Sequence, residues 1–167
     1  LEFIRDQGIT DEACFPYTAT DCPCSDRCDD WSSRLNTIDE ERYVPSDTQT
    51  IKEYLTEKGH LSVLMGIGGD FGGYFDGDIY RCTDDCGINH AVVIVGYNET
   101  EDCWIVRNSW GSGWQDDGYF KVGCGECAIE KYVYYAALCA WPLLLSPANG
   151  LAVRPGETTF TWREKAG

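Results

Sequence analysis

The sequence predicts an α+β fold in which antiparallel strands dominate, on three observations. The runs Ala91–Val95 and Trp104–Val106 are short and rich in Val and Ile, the composition of buried strands. Only the polar stretch Asn98–Asp102 separates them, a length that suits a hairpin and so an antiparallel pair. One complete helical pattern, residues 48–58, lies among further strand-like runs at 61–67, 119–122 and 128–137. Together the strands suggest an antiparallel, barrel-like half, and ten Tyr and six Trp suit such a tightly packed body.

In chain order, Leu1–Gln7 reads as the end of a helix, with Phe3 and Ile4 apolar and Gly8 as its stop. Residues 10–17 form a turn and an extended segment containing Pro16. Residues 18–33 are a polar, cysteine-bearing loop that disulfides would have to hold, and 34–44 are a strand with its approach. Ser46-Asp47 then supplies a helix N-cap. Within the helix Thr48–Lys58, Ile51 and Leu55 lie four apart and share one buried face with Tyr54 beside them, until Gly59 ends it. His60 is read as an exposed turn residue. Leu61–Ile67 is a strand, followed by a loop, 68–78, with five glycines. Glycine-rich loops cradle phosphate when basic residues assist, and this one carries Asp70, Asp76 and Asp78 instead. The spacing of an EF-hand calcium loop is not met either.

The net charge of −15 argues against a nucleic-acid partner, because phosphate contacts need Lys and Arg. The acidity is read as a solvated surface. No apolar run is long enough to span a membrane.

The hairpin carries the chemistry. His90 opens its first strand and Asn108 closes its second, so antiparallel pairing brings the two together. A carboxamide oxygen can accept the proton of one ring nitrogen and thereby fix the tautomer and the ring plane. The other nitrogen is then free to act as a base. Trp110 and Trp114 could shield that bond from water and so strengthen it.

These residues form a recognisable string: Asn89-His90-Ala91-Val92 with Gly96-Tyr97, then Arg107-Asn108-Ser109-Trp110-Gly111 with Gly113-Trp114 and Gly118-Tyr119. The string resembles the papain-like cysteine proteases, whose triad is Cys, His and Asn in chain order. The resemblance runs from Leu1 to about Tyr135, more weakly at its start, where Phe15-Pro16-Tyr17 is similar to the family's Tyr-Pro-Tyr segment. It implies that His90 is the catalytic histidine, Asn108 its orienting partner and Trp110 the cover of their hydrogen bond. It also implies a mainly helical half that carries the nucleophile, of which only a remnant is expected here.

No Cys-Gly-Ser-Cys-Trp type segment occurs, nor the family's upstream glutamine. The expectation is a C-terminal part of the catalytic domain, supplying His and Asn only and inactive alone. None of the cysteines present suits the nucleophile's role. Cys103 lies beside Glu101 and Asp102, and Cys124 and Cys127 flank Gly125-Glu126, acidic surroundings that raise a thiol pKa.

Ten cysteines point to an oxidising compartment, secreted or extracytoplasmic, lysosome-like in a eukaryote. The cluster Cys22-Pro-Cys24 with Cys28 lacks the histidines or second pair of a zinc site, so disulfides are favoured and no metal is assigned. By resemblance, Cys127 bridges to Cys82 or Cys86 ahead of His90. A cysteine after the Tyr-Pro-Tyr segment pairs upstream in the family, so Cys22 or Cys24 lacks its partner here.

Also by resemblance, the substrate-binding set is Leu64, Ile88, Asn89, Ala91 and Tyr132. Leu64, Ile88 and Ala91 match the pocket for the second residue before the cut, and Tyr132 its floor. The plainer reading makes Leu64 and Ile88 core residues. Gln115 departs from the family, where a glycine is common. The implied function is a cysteine-type endopeptidase acting through an acyl-enzyme on peptide or protein substrates, with no metal or organic cofactor. The rival is a noncatalytic peptide-binding or adhesion module of a modular secreted protein, against which the retained His-Asn-Trp set argues.

The expected domains are 1–138, a partial peptidase domain; 139–150, a linker; and 151–167, the start of a β-sandwich module. The last rests on Pro147-Ala-Asn-Gly turn chemistry followed by alternating Thr-Phe-Thr-Trp, similar to fibronectin type III or immunoglobulin-like domains. Further β-sandwich domains would then follow in the parent chain.

Overall fold

The short polar connection makes the hairpin in the manner expected. In the computed structural model, which describes residues 1–73, 77–82 and 86–137, β4 (Ile88–Asn98) pairs antiparallel with β5 (Cys103–Arg107). The Asn98 side-chain oxygen accepts from the backbone N–H of Thr100 at 2.9 Å and of Glu101 at 3.2 Å, a local bond that turns the chain. β4 is longer than its apolar run. It takes in Ile88, Asn89 and His90, so the histidine stands on a strand rather than on a loop.

Five other strands complete the sheet: β1 (Glu40–Val44), β2 (Leu61–Gly66), β3 (Ile79–Tyr80), β6 (Tyr119–Gly123) and β7 (Tyr132–Ala137). Their order is β1-β7-β2-β4-β5-β6-β3. β2 pairs antiparallel with β4 and β7, and β5 with β6, while β3 runs parallel to β6. The mostly antiparallel sheet with few helices agrees with the α+β expectation. Alternation buries Leu61, Val63 and Met65 of β2, Val92 and Ile94 of β4, and Trp104 and Val106 of β5.

Helix α2 spans Thr48–Lys58, lies against β4 and buries Ile51 and Leu55. Its cap is Asp47, which accepts from the Thr50 N–H at 2.8 Å and the Thr50 hydroxyl at 2.6 Å. The Thr50 hydroxyl, and then its N–H, hold the Asp47 carboxyl below its ordinary value. A carboxyl depressed in the folded state stabilises above its unfolded pKa and loses that contribution as pH falls through the folded one. Urea midpoints measured on a descending pH series should therefore fall below pH ~4, and the part due to this cap should vanish in Asp47→Ala.

One expected strand is shortened. Residues 128–131 form a turn, with Cys127 and Ala128 both at φ 54° and Ile129 N–H bonded to Glu126 O at 3.1 Å, so β7 starts at Tyr132. Glu130 explains the turn. Its carboxylate accepts from Trp104 Nε1 at 2.9 Å, Gly125 N–H at 2.8 Å and the Thr48 hydroxyl at 2.8 Å, joining β5, this turn and the start of α2. A continuous strand would carry Glu130 away from all three. Elsewhere, Ile79–Tyr80, just past the loop expected at 68–78, form a short strand, and the 34–44 segment holds its expected strand at 40–44 behind an approach.

The described residues divide into two compact units, 42–135 and 1–41 with 136–137. In the second, α1 (Glu2–Gln7) ends at Gly8, whose N–H donates to Ile4 O at 3.0 Å. A Cys14–Cys28 disulfide and an Arg34–Asp11 ion pair of 2.5 Å hold the polar loop. Cys28 is thereby withdrawn from the Cys22-Cys24 cluster, and both of those remain thiols. Cys14, Cys28 and Asp30 converge within 4.8 Å, but the two sulfurs are bonded to each other and offer no thiolate. No helix among the described residues is long and apolar enough to cross a membrane. The linker at 139–150 and the β-sandwich start at 151–167 lie outside the described residues.

Candidate active site

The hairpin brings His90 Nε2 to 3.0 Å from Asn108 Oδ1. A second bond decides who donates. Asn108 Oδ1 also accepts the Ser109 backbone N–H at 2.8 Å, and a backbone amide can only donate there. The oxygen therefore faces both groups, and His90 Nε2 carries the proton. Neutral imidazole then has Nδ1 unprotonated, and Nδ1 has no hydrogen-bond partner among the described residues. In its neutral form the ring can act as a base through Nδ1 while Nε2 stays tied to Asn108.

Asn108 follows the last residue of β5 and is 6% exposed. Its backbone N–H donates to Gly118 O at 2.9 Å, which anchors the returning loop. Gly118 sits at φ 85°, and a Cβ there would lie 3.0 Å from Gly111 O, so the loop closes only on glycine. Gln115 in the same loop takes φ 48°, the left-handed region in which glycine pays no Cβ penalty, which accounts for the glycine common at that position but not for the glutamine. Asn108 Nδ2 is buried with no hydrogen-bond partner among the described residues.

Trp110 lies on the imidazole, ring centres 5.2 Å apart, and remains 47% exposed. Trp114 is one layer further back: it packs edge-on against Trp110 at 5.1 Å and Phe120 at 5.4 Å. The centre of the group is Phe71, which the sequence did not single out. It is 1% exposed and meets His90 at 6.0 Å, Trp110 at 5.4 Å, Trp114 at 5.3 Å, Phe120 at 5.2 Å and Tyr80 at 4.8 Å. Its signal was an aromatic residue inside a run of Gly and Asp, but Tyr74 and Phe75 stand in the same run, and no local pattern says which one turns inward.

The proposed substrate set is partly aligned. Leu64 lies opposite Ala91 on β4 and Tyr132 on β7, so the three form one row across three strands on a shared face. Leu64 is half-buried, while Ala91 and Tyr132 are exposed, so the row belongs to the open face and not to the core. Ile88 is also exposed, opposite Gly66 past a bulge. Asn89 is engaged otherwise: its amide donates to Ile67 O at 2.9 Å and accepts from Ile67 N–H at 2.9 Å. The side chain replaces the ladder where the register slips, and so holds the backbone beside His90.

The cysteines differ from the expected pairing. Cys82 is bonded to Cys86, and Cys127 bridges neither; it is a buried thiol whose sulfur accepts the Cys82 N–H at 3.2 Å. Burial pushes the Cys127 thiol up. It also raises Cys103, with Glu101 adding to it, and lifts Cys124 to about 12, with Asp102 adding to it. The direction is the one the acidic neighbours suggested, yet burial is the larger cause. All three are protonated thiols at neutral pH and poor nucleophiles.

Comparison with known proteins agrees with this geometry. A profile of the papain family cysteine proteases matches residues 1–137. The chain is 34% identical over 141 residues to the probable cysteine protease RD21C of Arabidopsis thaliana, covering 79% of this chain and 31% of that protein. It is 32% identical over 145 residues to the cathepsin B-like CP2 of Giardia intestinalis, covering 80% and 48%. Among solved structures, a digestive procathepsin L2 proteinase from the larval midgut of Tenebrio molitor superposes with a TM-score of 0.69 at 28% identity, covering 82% of this chain and 45% of that one. The chain thus spans less than half the length of these relatives. It belongs to the papain family of cysteine proteases.

Proposed function

We propose that the complete protein is an endopeptidase acting through a Cys-His-Asn triad, of which this chain supplies His90 and Asn108. The observation that carries the reading is the Nε2–H to Oδ1 bond of 3.0 Å with Nδ1 left open. A cysteine thiol from outside this chain gives its proton to Nδ1, and the resulting thiolate attacks the peptide carbonyl. His90 then protonates the leaving amine, and the acyl-enzyme is hydrolysed with the imidazole as base. Throughout, Asn108 holds the ring in plane while Trp110 limits water at the hydrogen bond.

The row Leu64, Ala91 and Tyr132 starts one residue from His90, and with Ile88 it offers an apolar surface for a substrate side chain. The substrate is therefore a peptide or protein with an apolar residue near the cut. Two disulfides and the cysteine content suit an oxidising compartment, such as the extracellular space or a lysosome-like organelle.

The test is an assay of the purified complete protein on fluorogenic peptides with Leu or Lys two residues before the cut. Expected are a preference for Leu and loss of turnover after alkylation with iodoacetamide; the 167-residue chain alone should hydrolyse neither. Turnover that survives alkylation would remove the thiol mechanism.

A further inference from the structure

Phe71 underlies His90, Trp110 and Trp114 from a glycine-rich turn, an element with little stiffness of its own. The turn 68–73 is closed by two backbone bonds, Phe71 N–H to Gly68 O at 3.2 Å and Gly73 N–H to Asp70 O at 2.9 Å. Neither ties it to the sheet. Beyond the Asn89–Ile67 pair just before Gly68, one side chain that does is Tyr80, whose hydroxyl accepts the Gly68 N–H at 3.0 Å and donates to Asp70 Oδ1 at 2.9 Å. Tyr80 is 3% exposed and stands on β3, directly opposite Val122 of β6, so its position is set by the sheet. Its ring meets Phe71 edge-on at 4.8 Å. One side chain thus grips both ends of the turn's first half and packs on the aromatic residue the turn delivers. Gly68 belongs to the same device: a Cβ there would lie 2.8 Å from Asp70 Oδ1, the oxygen that receives the hydroxyl.

We propose that Tyr80 is a positioning residue for the His90–Asn108 pair, its hydroxyl tying Gly68 and Asp70 to the sheet so that Phe71 is held beneath the imidazole and the two tryptophans. Tyr80 acts only through Phe71. Without its hydroxyl the turn opens more often, Phe71 withdraws, and water reaches the Nε2–H to Oδ1 bond from below. The catalytic meaning of this role rests on the endopeptidase reading, but its physical content does not.

The experiment reads the imidazole proton itself. The chain contains two histidines, so a His60→Gln background leaves His90 as the sole source of imidazole N–H resonances in the labelled 167-residue protein. Exchange of the Nε2 proton with water is measured by saturation transfer, alongside the melting temperature. In Tyr80→Phe, which removes only the hydroxyl, exchange should accelerate about tenfold, the scale of one to two net hydrogen bonds in an opening equilibrium. Asp70→Ala, at an exposed position, should show a smaller acceleration in the same direction. A hydroxyl that merely stabilised the fold would lower the melting temperature and leave the exchange rate of the folded protein unchanged. Unchanged exchange in Tyr80→Phe overturns the proposal, and should that variant not fold, unchanged exchange in Asp70→Ala does so. Absence of peptidase activity in the complete protein would instead remove the endopeptidase reading while the exchange result stood.

Discussion

Alanine in place of His90 in the complete enzyme is expected to lower kcat on the order of 10⁴-fold, the upper range for a general acid–base group. The loss has two parts. On the proposed mechanism the imidazole takes the thiol proton, so without it the nucleophile would stay a protonated thiol. It also returns a proton to the leaving amine, so acylation stalls a second time. KM should move little, because His90 stands opposite Met65 and outside the row formed by Leu64, Ala91 and Tyr132. His60→Ala is the control: His60 is exposed on the connection between α2 and β2, and its removal should leave kcat at the parent value. Steady-state kinetics on both variants checks the assignment, and near-normal turnover in His90→Ala would sink it.

The second large effect belongs to Asn108. Asn108→Ala should lower kcat by roughly 10- to 100-fold, the worth of a buried, orienting hydrogen bond whose loss frees the ring to rotate and to change tautomer. Stability should fall by much less than the loss of two bonds suggests. Asn108 Oδ1 accepts from His90 and Ser109, but Asn108 Nδ2 is buried without a hydrogen-bond partner among the described residues. Removing the whole amide discards that unfavourable burial together with the two favourable bonds. The kinetic loss and the melting temperature should therefore separate, which kcat and thermal unfolding of one protein sample can show. A side chain kept only for packing would lose both together.

Much of the fold was legible because its signals are local. The α2 boundaries follow from Asp47 as cap, Ile51 and Leu55 on one face, and Gly59 as stop, and the observed helix is Thr48–Lys58. The hairpin was legible because two Val- and Ile-rich runs and a short polar turn admit few other pairings. The turn at 128–131 was not legible. Its residues continue directly into the strand, and the reason they bend is Glu130, which meets Gly125 nearby and Trp104 and Thr48 from far along the chain. Asn89 behaves likewise: its side chain bonds Ile67 only because β2 and β4 slip register at Met65 and Gly66.

The site divides along the same line. His90, Asn108 and Trp110 were legible as a string of residue types set at the two open ends of one hairpin, where antiparallel pairing brings them together. Phe71 and Tyr80 were not, because their role depends on which aromatic residue of a glycine-rich turn points inward and on what meets it there. The cysteines show a further contrast: composition points to disulfides, while the structure pairs Cys82 with Cys86 and leaves Cys127 a buried thiol. Residue types and their spacing along the chain thus determined the hairpin and the His90–Asn108 bond it makes. Tertiary structure alone decided which groups brace and shield that bond, because bonds between distant segments depend on register and packing, and neither is written in any single stretch of sequence.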